Sequence, residues 1–125
     1  MAITRTYIGR CQYDFDIDGG AADTVITPAN NFNLPIGAMI IGAWTDIKTT
    51  LASGGSATIA IAAAGTVIKA ATAFDNASYV GIDAHLARTS AALTTAAGPV
   101  TFTTAGSAAL TAGKVDIYVE YILAD

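Results

Sequence analysis

The stretch LPIGAMIIGAWTDIKTTLASGGSATIAI, Leu34 to Ile61, decides how the rest of the chain is read. From Ala38 to Thr49, Met39, Ile41, Ala43, Thr45 and Ile47 alternate with Ala38, Ile40, Gly42, Trp44, Asp46 and Lys48. Alternate residues of a β-strand face opposite sides. The first half of this segment is apolar on both faces and the second half on one, so the strand starts between two layers and emerges toward solvent. Pro35 cannot donate a ladder hydrogen bond and Gly37 suits a turn, which sets the start of the strand. Ser53-Gly54-Gly55-Ser56 tolerates positive φ, and Thr58-Ile59-Ala60-Ile61 resumes the alternation. The pattern predicts two strands joined as a hairpin.

The flanking segments extend the β pattern. Tyr7, Gly9, Cys11, Tyr13, Phe15 and Ile17 alternate with Arg10, Gln12, Asp14, Asp16 and Asp18, which predicts a half-buried strand from Thr6 to Asp18 ending at Gly19-Gly20. Asp23 to Thr27 reads as a short strand closed by Pro28. Asn30 to Asn33 is turn chemistry, with Phe32 anchoring the loop. Thr66 to Lys69 is a further short strand. Val100 to Thr104 alternates weakly before a turn at Gly106. From Lys114 to Leu123, Val115, Ile117, Val119, Tyr121 and Leu123 oppose Lys114, Asp116, Tyr118 and Glu120. The first and last strands are both long and amphipathic, so they are expected to pair or to share a sheet. Residues 70–93 fit either weak helical spacing around Asp83 to Leu93 or a long irregular crossover carrying Phe74, Tyr79 and Val80 inward. Short strands, Gly/Pro/Asn turns and no βαβ rhythm predict an all-β antiparallel sandwich of jelly-roll type, in one domain over residues 1–125.

Composition narrows the function. A chain of 125 residues can bury roughly two-thirds of its unfolded surface, so it needs neither disulfide nor metal to fold. Charged residues are 13% of the chain, about half the usual share, and hydrophobic residues are 53%. That balance suits a surface covered in an assembly, or one rich in Ala, Thr, Gly and Ser. The net charge is −4, and the six basic residues are scattered, so no nucleic-acid patch is expected. The longest apolar run, Leu34 to Trp44, is too short for a membrane span and is interrupted by Pro35 and Gly37. Thr4-Arg5-Thr6 near the start does not read as a secretory signal, so synthesis and use in a cytoplasm are expected. Cys11 is the sole cysteine and is expected to be an inert buried thiol.

Few residues suggest chemistry. Asp14-Phe15-Asp16-Ile17-Asp18-Gly19 matches the opening of a calcium loop, D-x-D-x-D-G, yet Val25 stands where such a loop needs its bidentate glutamate. Asp14, Asp16 and Asp18 therefore read chiefly as a solvated acidic face. A weak cation site at Asp16, Asp18 and Asp23 is the alternative. His85, near Asp83 and Arg88, is the only histidine, and no nucleophile and base stand together, so neither an enzyme nor a cofactor is expected. Trp44, Tyr79, Tyr118 and Tyr121 suit either core and interface packing or a sugar-stacking platform.

Leu34-Pro35-Ile36-Gly37-Ala38, Asp46-Ile47, Thr49-Thr50 and Gly54-Gly55-Ser56-Ala57-Thr58 together resemble a hairpin found in small structural proteins of tailed bacteriophages. Ala109 to Val115, running into Val119-Glu120-Tyr121, is similar to the final strand of the same proteins. The resemblance implies a β-sandwich module of the head-decoration (cement) or head-fibre type that oligomerises, often as a trimer, on a virion. It implies contact with the major capsid protein on the outer head surface. Residues 1–5 would form an extended arm. Ile3, Arg5, Trp44, Tyr79 and Tyr118 are the candidate interface residues. The rival reading is a glycan- or receptor-binding sandwich of a tail fibre or baseplate, with Trp44 or Tyr79 as its platform.

Overall fold

A computed structural model of the chain describes residues 5–55, 57–73, 83–84, 94–106 and 108–123. Nine strands and one helical turn follow in order: β1 (Thr6–Asp14), α1 (Phe15–Asp18), β2 (Val25–Ile26), β3 (Asn33–Leu34), β4 (Ala38–Ser53), β5 (Ala57–Ala63), β6 (Thr66–Ala73), β7 (Asp83–Ala84), β8 (Gly98–Gly106) and β9 (Leu110–Leu123). One antiparallel sheet has the order β1-β9-β4-β7 and the other β2-β8-β5-β6, with β3 added on β8. Each strand of the first sheet has its chain neighbour at the same place in the second: β1 with β2, β9 with β8, β4 with β5, β7 with β6. That order, produced by folding antiparallel strand pairs over one core, is the jelly roll. The sandwich expected from the sequence is therefore observed, and the first and last strands pair along their length, from Thr6 opposite Ile122 to Asp14 opposite Lys114.

The connection between β4 and β5 departs from expectation. It is not a hairpin: β4 pairs with β9 and β7, whereas β5 pairs with β8 and β6. Gly54-Gly55 carries the chain across the core as an arch. A second arch, between β8 and β9, lies beside it, with the Gly54 N–H donating to the Ala109 carbonyl at 3.4 Å. A Cβ on Gly55 would meet the Ala108 methyl at 3.2 Å. Alternation dictates which side chains face inward, but two strands facing each other across a core alternate as well as two lying side by side. The hairpin in this region comes one connection later, between β5 and β6, where Ala64 (φ 50°) and Gly65 (φ 84°) occupy the left-handed region that a two-residue type I′ turn requires.

The apolar run of β4 is resolved by a bulge. Ile40 pairs with Tyr121 and Gly42 with Glu120, so one residue is extra and the inward set changes parity. Ala38 and Ile40 are buried before it and Ala43 after it. Strand β5 needs no such device: Ala57, Ile59, Ile61 and Ala63 are all buried. These residues meet Val115, Ile117 and Val119 of β9 and Val100 and Phe102 of β8 in one cluster. Tyr13 of β1 and Phe102 of β8 join the two sheets through the core, with ring centroids 5.1 Å apart. The Tyr13 hydroxyl donates to the Gly19 carbonyl at 2.5 Å, which satisfies its one polar group.

Three further expectations change. Strand β1 ends at Asp14 rather than Asp18, because residues 15–18 close into a helical turn capped by the Asp14 carboxylate. The short strand at Thr66 runs on to Ala73, and Asp83–Ala84 pairs with Ala43 and Trp44, so the described parts of the 70–93 region are strands and not helix. The remainder of that crossover lies outside the described residues. Past it, buried Thr94 fastens the start of β4. Its N–H donates to the Ala38 carbonyl at 2.8 Å, and its hydroxyl accepts from the Ala38 N–H at 2.9 Å and donates to the Pro35 carbonyl at 2.8 Å.

Candidate functional site

The outer face of the β1-β9-β4 sheet gathers the polar and aromatic groups most able to recognise a partner. Because β4, β9 and β1 lie in register, Trp44 stands opposite Tyr118 and Tyr118 opposite Arg10, while Asp46 stands opposite Asp116 and Asp116 opposite Gln12. The Trp44 and Tyr118 rings are stacked, 5.5 Å between centroids and 16° apart in plane, and both residues are half-buried. Two of the sequence-predicted interface residues are thus brought together. Arg5 is exposed ahead of β1, and Ile3 and Tyr79 lie outside the described residues, as do His85 and Arg88.

Sequence reasoning placed Asp116 among the solvent-facing residues of β9, yet it is only 2% exposed. Its Oδ1 accepts from Gln12 Nε2 at 2.8 Å, and Arg10 lies 4.0 Å from Oδ2. Leaving such a buried acceptor without a donor would cost about 1–3 kcal/mol. Asp46, directly opposite, has its own cation, Lys48 at 2.6 Å. That contact raises the Lys48 pKa, first through the hydrogen bond and then through the carboxylate charge. The pair is exposed, so its contribution to stability is small. No spacing signal marks Asp116 for burial: it is one polar residue between Val115 and Ile117, and its cover comes from β1, over a hundred residues away.

The acidic run beside Gly19 serves the backbone. Asp14 Oδ1 accepts from the Asp16 N–H at 3.1 Å, and Asp18 accepts from the Asp14 N–H through Oδ2 and from the Ala29 N–H through Oδ1, each at 2.9 Å. Asp23 Oδ1 accepts from the Gly106 N–H at 3.1 Å. These carboxylates hold a turn, a loop and a strand end. Among the described residues no group of three His, Cys, Asp or Glu side chains is placed to hold a metal ion. An open cleft of about 280 Å³ lies beside the turn, lined by Asp14, Asp16, Thr49, Thr111 and Lys114, with Lys114 Nζ 3.8 Å from Asp14 Oδ2.

Cys11 has no exposed surface, and its pKa is pushed up to about 12, first by burial and then by the charges of Asp18 and Asp116. The thiolate that a nucleophile needs is therefore suppressed at neutral pH. Burial, followed by Asp18 and Asp14, raises the Tyr13 phenol to about 12 as well. Both groups thus stay protonated at neutral pH and serve as packing within the core.

In strand order the fold is a jelly-roll sandwich, and two solved structures share it. A chain of the cyanophage Pam1 capsid asymmetric unit superposes with a TM-score of 0.58 at 21% identity, covering 96% of this chain and 86% of that one. A chain of the capsid of Ralstonia phage GP4 superposes with a TM-score of 0.50 at 20% identity, covering 95% and 85%. No family model matches the sequence, and no curated protein matches it.

Proposed function

We propose that this chain is a structural protein of a bacteriophage particle that binds the outer surface of the head as a decoration protein. The observation that carries the reading is the likeness, over nearly the whole of both chains, to chains in two phage capsids. The low share of charge and the suppressed thiol agree with a part that works by contact and performs no catalysis. Its partner would be the major capsid protein, and its action mechanical. Apolar contacts return about 25 cal/mol per Å² before ordering costs. Repeated around a closed shell, modest contacts of this kind add up to a lattice that resists internal pressure.

A glycan-binding role for Trp44 has weaker support, since its ring is spent in part on Tyr118, 5.5 Å away. The test is to separate heads from tails of the phage that encodes the chain and to quantify the chain in each by mass spectrometry. The decoration reading expects it with the heads, in fixed ratio to the shell protein. Recovery with the tails alone would overturn it.

A further inference from the structure

We infer that the free edge of β1 is a self-association surface that pairs two copies of this chain, antiparallel, across a two-fold axis at Ile8. The edge strand of a sheet presents unpaired N–H and C=O groups, and proteins cover or blunt it unless it is used. Among the described residues, strand β1 is the edge of its sheet and pairs with β9 on one side only. On the other side the described residues cover it at one point, where the Gln12 N–H donates to the Asn30 carbonyl at 2.8 Å. That bond also fixes the direction of the backbone groups. Gln12 points away from β9, so Arg10, Ile8 and Thr6, at two-residue steps, point outward too.

Two apolar side chains at this edge are unusually open for their type. Ile8 is 57% exposed and Tyr7 41%, while Thr6 and Arg10 are also exposed. The described residues leave the outward backbone groups of Thr6, Ile8 and Arg10 open to a further strand, and the chemistry of this edge fits its own copy. With Ile8 opposite Ile8, Thr6 falls opposite Arg10 and Tyr7 opposite Gly9. The outward-pointing residues then meet one another, as a hydrogen-bonded antiparallel ladder demands. No like charges face each other, because the register keeps the two Arg10 side chains apart. The Phe32 ring lies where a Gly9 Cβ would be, so the Tyr7 of the second copy, opposite Gly9, would meet that ring as an aromatic neighbour. Sliding the register to place Arg10 on the axis would oppose two cations and run into Asn30. The arrangement is isologous, so each residue is both donor and recipient of the same contact.

This pairing yields two copies, in place of the three implied by the family resemblance, and it does not depend on where in a virion the protein sits. The test uses the full chain in solution without heads, so its failure would leave the head reading standing. Sedimentation equilibrium over a concentration series should show a species of twice the 12.6 kDa chain mass. Ile8→Pro removes an N–H that points outward and none from the β9 ladder, so it should abolish the dimer while leaving the circular-dichroism melt in place. As a second measurement, a thiol introduced by Ile8→Cys should cross-link to its own copy on mild oxidation, since Cα atoms of such a pair lie about 5.5 Å apart, within disulfide reach. Val25→Cys, on the other sheet and 63% exposed, should not. A wild-type chain that stays monomeric, a three-copy species indifferent to Ile8→Pro, or equal cross-linking at positions 8 and 25 would each overturn the proposal.

Discussion

Raising the pH above 9 should destabilise this protein along a slope set by two buried acids. Cys11 and Tyr13 are both without exposed surface, and in the folded chain each holds its proton to about pH 12, against 9.0 and 10.0 for the free groups. The sign follows from proton counting. Above 9 the unfolded chain releases the Cys11 proton and the folded chain keeps it, so the unfolded state binds fewer protons and stability falls as pH rises. The contribution is fully present below 9 and is lost toward 12. One proton is worth about 1.4 kcal/mol per pH unit. At pH 11 the two groups together remove a few kcal/mol, the larger share from Cys11, whose free group titrates lower. A domain of this length has on the order of 6–19 kcal/mol in all. Urea unfolding of the wild type, Cys11→Ala and Tyr13→Phe between about pH 8 and 11 isolates each term, because ionisations common to two proteins cancel in their difference. The stability gap between wild type and Cys11→Ala should shrink by about 1.4 kcal/mol per unit above 9, and the gap to Tyr13→Phe should begin shrinking one unit later. Gaps that do not change with pH would refute the reasoning.

Other substitutions probe single contacts. Phe102→Ala empties the inter-sheet stack on Tyr13 and should cost about 3–5 kcal/mol in urea unfolding. Gly9→Ala would set a methyl 2.2 Å from the Phe32 ring, so it should lower the melting temperature, and adding Phe32→Leu should recover part of the loss. Asp18→Ala removes the acceptor of two backbone N–H groups and should cost about 1–2 kcal/mol by the same assay. With those carboxylates engaged by the backbone, millimolar calcium should leave the wild-type melting temperature where it is.

Much of the sandwich was legible because burial of one face writes a two-residue period into a strand, as in Ala57, Ile59, Ile61 and Ala63 or Val115, Ile117 and Val119. What the period leaves open is which strand lies beside which. Leu34 to Ile61 reads equally well as a hairpin or an arch, and the difference rests on hydrogen bonds to Gly106 and Leu110, about fifty residues further on. Local chemistry also overrode the period at two places. The Asp14 carboxylate capped a turn where alternation continued to Asp18, and the bulge at Ile41 reversed the faces of β4. The site was legible in its parts: Trp44 and Tyr118 carried an aromatic signal in the sequence, but their stacking follows from the β4–β9 register. Asp116 carried none, since its burial depends on Gln12 and Arg10 from the opposite end of the chain.

The central claim, attachment to a phage head, is tested most directly by adding the purified chain to heads stripped of their accessory proteins, sedimenting the mixture, and heating the recovered heads. The account predicts saturable binding in fixed proportion to the shell protein, together with heads that hold their DNA at a temperature that empties untreated ones. Heads that bind none of the chain, or that bind it without any gain in heat resistance, would contradict it.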